Sequence, residues 1–278
     1  MKLGLMYANT LAVTGGQVRA QISAAEQAGY ESVWVVEHVV IPKGYESAYP
    51  YSRSGKMLGG AEDFDIPDPL VWLAFAAAVS TTIKLATGVL ILPQRNPVIL
   101  AKEVASLDVL SGGRVILGVG SGWLEEEFRT LGASFDDRGA RADEYIRVLR
   151  TLWSDEVASF AGDFVSFDEV YLRPRPVNRS VPIVIGGHSK RAARRAGELG
   201  DGFYPASAAV EELPGLVAFA RETAERAGRD PAALEVTMGA RPDAASVEQL
   251  AAAGVDRVVV SAAAGAEALA GLAADVLG

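Results

Sequence analysis

Residues 84–118 read KLATGVLILPQRNPVILAKEVASLDVLSGGRVILG. An apolar run, Lys84–Leu90, meets a polar rim, Pro93-Gln94-Arg95-Asn96-Pro97. A helix-period stretch, Val98–Leu110, follows and leads to a second apolar run, Arg114–Gly118. Neither run alternates. A strand buried on both faces is continuously apolar, and two parallel strands need a helical crossover between them. Working outward, the same phrase recurs. Further apolar runs are Leu3–Tyr7, Ser32–Val36, Pro182–Gly186, Gly202–Tyr204, Leu234–Met238 and Arg257–Val260, with helical stretches such as Val18–Ala28, Pro69–Ser80, Arg141–Trp153 and Leu213–Ala227 between them. About eight such units predict an α/β fold, the (β/α)8 or TIM barrel, with its chemistry just after the strand ends.

A chain of 278 residues suits one barrel domain spanning 1–278. With 35 acidic and 26 basic side chains the net charge is -9, which argues against nucleic acid or an anionic membrane as a partner. There is no cysteine, so disulfides, thiolate metal sites and cysteine nucleophiles are excluded. No run of about 18 apolar residues and no signal-like N-terminus is visible, so a cytoplasmic location is the expectation.

The βα rhythm breaks twice. After the second strand, residues 40–68 form an insertion rich in Gly, Pro, Tyr and Ser. Long loops in compact domains are functional or disordered, and Tyr49, Tyr51 and Phe64 favour a partly packed lid over a passive loop. Before the fifth strand, Val157–Phe160 and Phe164–Phe167 flank Ala161-Gly162-Asp163 and read as a short hairpin.

The strand ends supply the candidates. Glu37-His38 follows the second strand, and His38 is one of two histidines in the chain. An imidazole there is either a satisfied structural group or a proton carrier and hydrogen-bonding partner. Thr87-Gly88-Val89 places a glycine inside an apolar strand, marking a bulge or close backbone approach, or simple packing. Gly118-Val119-Gly120-Ser121-Gly122-Trp123 offers backbone amides to a ligand, and Trp123 reads as an apolar wall or as core. Gly186-Gly187-His188-Ser189 precedes a helix carrying Lys190 and Arg191. That turn reads as an anion site, with the alternative that Ser189 only caps the helix. Arg194 and Arg195 read as a solvated face. No lysine ends a strand, which disfavours a Schiff-base aldolase. Two histidines are poor material for a metal site, so no metal is expected. Ser121 has no evident His and acid partners for a hydrolase triad.

Together SVWVVEH, the block LATGVLILPQRNPVILAKEVASLDVLSGGRVILGVGSGW, the phrase VLRTLWSDE and PIVIGGHSKRAARRAGELGDGF resemble the luciferase-like monooxygenase superfamily, especially its coenzyme F420-dependent oxidoreductases. That resemblance implies a homodimer and a deazaflavin or flavin ring lying in the barrel mouth near Glu37-His38. It implies a non-prolyl cis peptide at Gly88-Val89 behind the ring, with Gly120-Ser121-Gly122 along the cofactor. It also implies phosphate held at Gly186-Gly187-His188-Ser189, with Arg191 nearby. Sugar-phosphate dehydrogenases of this group carry a glutamate acid where this chain has Trp123, so glucose-6-phosphate oxidation is not expected. The expected activity is hydride transfer between F420 and a small, apolar or planar substrate, with His38 as the candidate catalytic group. The alternatives are an FMN-dependent two-component monooxygenase and a non-catalytic flavin-binding protein.

Overall fold

The computed structural model describes residues 1–52, 54–205 and 208–277. Its strands are β1 (Lys2–Met6), β2 (Ser32–Val35), β3 (Lys84–Thr87), β4 (Leu90–Ile91), β5 (Val115–Gly120), β6 (Ala158–Ala161), β7 (Ser166–Val170), β8 (Ile183–Gly186), β9 (Gly202–Tyr204), β10 (Glu235–Ala240) and β11 (Arg257–Ser261). Among the described residues the parallel pairing runs β1-β2-β3-β5-β8-β9-β10-β11 and returns to β1, which closes an eight-stranded barrel. Each of the eight apolar runs contributes one barrel strand.

Burial on both faces accounts for the continuous apolar runs. Met6, Trp34, Ala86, Ile116, Val184 and Val259 pack inside the barrel, while Leu3, Leu5, Val33, Leu85 and Leu117 belong to the core shared with the helices. Each fully buried aliphatic side chain stabilises this arrangement by about 1.5–3 kcal/mol. Two crossover helices start on the same device, a capping residue followed by proline. Asp68 accepts from Leu70 and Val71 N–H before Pro69–Val79, and Asn96 accepts from Val98 and Ile99 N–H before Pro97–Ser111.

The N-terminal end of the barrel is plugged by charge. Arg257, 1% exposed, donates to both oxygens of Glu31 at 2.9 and 3.1 Å, pairs with Glu235 and reaches Thr237. The opposite end carries the cavity.

The run Lys84–Leu90 is two strands rather than one. Leu85 pairs with Val115, but Leu90 pairs with Val119, so one extra residue is absorbed between β3 and β4. That is a bulge, and the Gly88–Val89 peptide within it is cis. The hairpin β6-β7 forms one to three residues beyond the expected ends, because Glu144 accepts from Asp163, Phe164 and Val165 N–H and sets the turn.

The insertion after β2 holds one short 3-10 turn, Met57–Gly60. It is nevertheless packed: buried Tyr45 and Met57 form a small core with Leu124, against which Tyr49, Phe64 and Trp123 rest. Glu126 accepts from Glu46 and Ser47 N–H, tying the insertion to the loop after β5.

Candidate active site

A cavity of about 1400 Å³ opens at the C-terminal end of the strands. Its walls come from the last residues of β1, β5, β8, β9 and β11, from residues following β1, β2, β5, β8 and β11, from the β3–β4 bulge and from the lid.

The bulge organises one wall. Thr87 donates to Gly118 O at 2.6 Å and Gly88 N–H donates to Val35 O at 2.7 Å, so neighbouring strands hold the bend from both sides. Val89 then enters the space between β5 and β8. A Cβ on Gly120 or on Gly186 would lie 2.7 Å from a Val89 methyl, so only glycine fits at either position. Gly88, Val89, Gly120, Ser121 and Gly122 all line the cavity as expected. Thr87 does not. It is 1% exposed with its hydroxyl committed to Gly118, so it shapes the bulge from behind the cavity wall.

Glu37 also has a different task from the one expected. It borders the cavity, but it is 4% exposed and both carboxylate oxygens are occupied. One accepts from Ile91 N–H and the other from Arg95, whose guanidinium also reaches Asp68 at 2.7 Å. This ion group joins the end of β2, the exit of β4 and the end of the lid. Its carboxylate braces the site from the cavity wall, where Glu37 was expected.

His38 is the group so positioned. Its Nδ1 lies 3.0 Å from Glu127 Oε2, while Glu127 Oε1 accepts from Val39 and Val40 N–H at 2.7 and 3.2 Å. Burial works against the charged Glu127 carboxyl, but the His38 hydrogen bond and charge, with Gln94 and the Val40 amide, outweigh it and hold it below the usual carboxylate range. An ionised carboxylate only accepts, so Nδ1 carries the proton and Nε2 is left for the cavity. No acid partner for a histidine was evident from the sequence. The available signal was the helix face: Leu124, Glu127 and Phe128 share one side of the turn, and all three are buried.

Aromatic rings cross the mouth in an unbroken series of edge contacts. Trp123 meets His38 at 5.7 Å and Tyr49 at 5.1 Å, Tyr49 meets Tyr51 at 5.2 Å, and Tyr51 meets His188 at 5.5 Å. Tyr49, Tyr51, Phe64 and Trp123 all border the cavity, as expected for a lid and its wall.

At the far end lie Gly186, Gly187, His188, Ser189 and Arg191. Ser189 does cap its helix, accepting from Ala192 N–H at 3.2 Å. His188 Nδ1 is buried with no partner among the described residues. Arg138, which the sequence did not single out, faces the same space. Burial pushes its guanidinium below the usual range, opposed by Asp136 and reinforced by the charge of Arg191. Two mutually unfavourable cations beside a glycine-rich turn and a helix N-terminus suit an anionic group. Arg195 is not on a solvated face: it is 9% exposed, paired with Asp143 and donating to Gly139 O. Arg194 pairs with Asp143 and Glu198.

The luciferase-like monooxygenase family model matches residues 2–275. The chain belongs to this family. A relative from Mycobacterium tuberculosis (strain ATCC 25618 / H37Rv), an uncharacterized protein, is 34% identical over 208 residues, covering 74% of this chain and 70% of that one. Two relatives with named activities differ in cofactor. The F420-dependent glucose-6-phosphate dehydrogenase of Amycolatopsis mediterranei (strain U-32) is 34% identical, covering 68% of this chain and 53% of its own. The FMNH2-dependent dimethylsulfone monooxygenase of Pseudomonas putida is 36% identical, covering 51% and 40%. Among solved structures, the coenzyme F420-dependent tetrahydromethanopterin reductase of Methanopyrus kandleri superposes with a TM-score of 0.78, 18% identity and coverage of 100% and 98%. The luciferase-like fold is thus shared along the whole chain. No helix among the described residues is long and apolar enough to cross a membrane.

Proposed function

We propose that this luciferase-like protein is an oxidoreductase that moves a hydride between the deazaflavin F420 and a small organic substrate. The observation that carries this reading is the pair Arg138 and Arg191 bordering the cavity beyond the Ser189 turn. F420 bears a phosphate and then an acidic tail, and it needs a basic path out of the barrel. The remaining walls suit such a group: Gly120 and Gly186 border the cavity beside Val89, and His188 Nδ1 has no partner among the described residues.

When bound, the deazaflavin supplies a ring carbon that gives or accepts the hydride. The chain's own residues do the rest. Gly120, Ser121 and Gly122 would hold the ring edge, and Gly186 to Ser189 with Arg191 would hold the phosphate. His38 Nε2, with its partner nitrogen fixed by Glu127, is placed to take or return the substrate's proton. The lid, seated on Trp123, excludes water from the mouth.

A second reading, an FMN-dependent monooxygenase, is favoured by the 36% identity to the dimethylsulfone enzyme. The test is titration of the purified protein with F420, FMN and riboflavin by fluorescence. F420 binding at micromolar levels with FMN ignored supports the deazaflavin reading. FMN preference moves the protein to the monooxygenases, and binding of neither overturns both. Turnover abolished by His38→Ala with cofactor binding kept excludes a storage role.

A further inference from the structure

The cavity has two chemically different sides. Loops after β5 and β8, neighbours in the barrel, make the basic side described above. The contiguous strands β11, β1 and β2 make the other, where Leu11, Val13, Val36 and Ala263 line the cavity with Phe64 and Ile66 of the lid, interrupted by Thr10, Asp65 and Ser261. Leu11 and Val13 remain 45% and 39% exposed, so this arm is open at its outer end.

Two phenols stand where the arm meets the barrel. Tyr204, the last residue of β9, is 6% exposed; its ring meets Trp34 edge-on at 5.9 Å inside the barrel and borders the cavity floor. Tyr7 follows β1 in the left-handed region, at φ 61°, an unfavourable conformation for a bulky side chain. The surroundings enforce it. Asn9, fully buried, donates to Val36 O and Pro67 O and accepts from Val36 N–H, locking the turn after Tyr7 to β2 and to the lid's end. Backbone strain held by a dedicated buried side chain marks a residue whose position is used. Neither hydroxyl has a hydrogen-bond partner among the described residues, whereas the phenols of Tyr30 and Tyr45 do. Burial raises the Tyr204 hydroxyl well above the usual phenol range, and Tyr7, Tyr51 and Tyr49 add to the rise. Desolvation likewise raises Tyr7, although the residue is 40% exposed overall. Both therefore stay protonated at neutral pH and able to donate.

We propose that Tyr7 and Tyr204 are specificity-determining residues that anchor a substrate oxygen at the inner end of the apolar arm, so that the substrate class is an apolar molecule bearing a ketone or aldehyde carbonyl. The assignment rests on the oxidoreductase reading for its catalytic meaning, but its geometry belongs to the arm alone. A phenol donating to a carbonyl oxygen satisfies a donor that otherwise meets only solvent, and the apolar body lies along Leu11 and Val13. A hydrocarbon of the same shape leaves the phenols unpaired, and sites built to bind an oxygen reject such analogues.

The probes are 2-acetylnaphthalene and 2-ethylnaphthalene, matched in shape and differing in the carbonyl, titrated by fluorescence into wild type, Tyr7→Phe, Tyr204→Phe and the double variant. Wild type should prefer the ketone roughly tenfold, the size of one net neutral hydrogen bond. The double variant should lose most of that preference while its affinity for the hydrocarbon stays unchanged. Thermal melts and F420 or FMN titrations of the same variants should match wild type, which separates this result from the cofactor question. Equal binding of the two probes by wild type, a preference surviving in the double variant, or failure of wild type to bind either probe would each overturn the proposal. Failure of wild type to bind either cofactor, with probe discrimination kept, would sink the oxidoreductase reading and leave the anchor standing.

Discussion

His38 Nδ1 and Glu127 Oε2 lie 3.0 Å apart, although 89 residues separate them in the chain. The loop after β2 carries the imidazole and the helix Glu125–Thr130 carries the carboxylate, so their contact couples the lid's first residues to the glycine loop after β5. Glu127 sets a tautomer and a position at once, because its second oxygen holds the amides of Val39 and Val40.

Removal of that carboxylate is therefore readable directly. With two histidines in the chain, imidazole nitrogen resonances are simple to assign. Above neutral pH wild type should show one histidine with Nδ1 protonated, and Glu127→Ala should shift it toward the Nε2–H form. Turnover should fall by about 10² while cofactor affinity changes far less, the usual scale for a positioned acid–base group. An unchanged spectrum would remove Glu127 from the site.

The Tyr51–His188 ring contact is the lid's last link across the mouth. Tyr51→Ala should accelerate both association and dissociation of the cofactor, each by about fivefold, as expected for the loss of one aromatic pair. The dissociation constant should move less than either rate. Stopped-flow fluorescence measures both rates, and rates equal to wild type would mean the lid does not gate entry.

Arg138 and Arg191 are expected to recognise phosphate rather than ring. F420 should bind more tightly than the deazariboflavin that lacks its phosphate and tail, by roughly tenfold or more. Arg191→Ala should erase most of that ratio and flatten its dependence on salt, leaving the deazariboflavin affinity as it was. Calorimetric titration at two ionic strengths gives the answer, and a ratio preserved in the variant would place the phosphate elsewhere.

The barrel floor predicts the acid response. Burial opposes the charge of Glu31, but Arg257 and Lys84 outweigh it and lower its carboxyl from 4.5 to about 2. The folded state binds this proton less readily than the unfolded chain does. Its stabilisation is thus complete above about pH 4.5 and is lost as pH falls toward 2. Glu31→Gln should melt at lower temperature near neutrality, and the gap to wild type should close on acidification through that window. A gap independent of pH would show that the pair contributes shape rather than charge.

Much of the barrel was legible in local pattern. Lys84–Leu90 and Arg114–Gly118 read as buried parallel strands because each residue type reports burial on its own, and Pro69–Ser80 and Val98–Leu110 read as helices from their period. Gly120 and Gly186 read as close-approach positions, but the atom approaching was hidden: it is Val89, brought there by a one-residue bulge. The partners of Thr87 and Glu37 were hidden for a related reason. Proximity to a strand end says that a side chain is near the mouth, not which neighbour claims its oxygens, and Gly118, Ile91 and Arg95 claim these. Arg195 looked solvated because its helix is rich in charge, yet Asp143 from another helix buries it.

What the sequence by itself determined is the set of βα units, the lid insertion and the address of the site, since periodicity and capping are local properties of the chain. Only the tertiary structure decided that Glu127 serves His38, that Arg138 joins Arg191, and that Tyr7 and Tyr204 share one cavity. Barrel closure brings strand ends far apart in sequence around a common mouth, and the register of each strand sets which of their side chains meet there. No local spacing encodes that register.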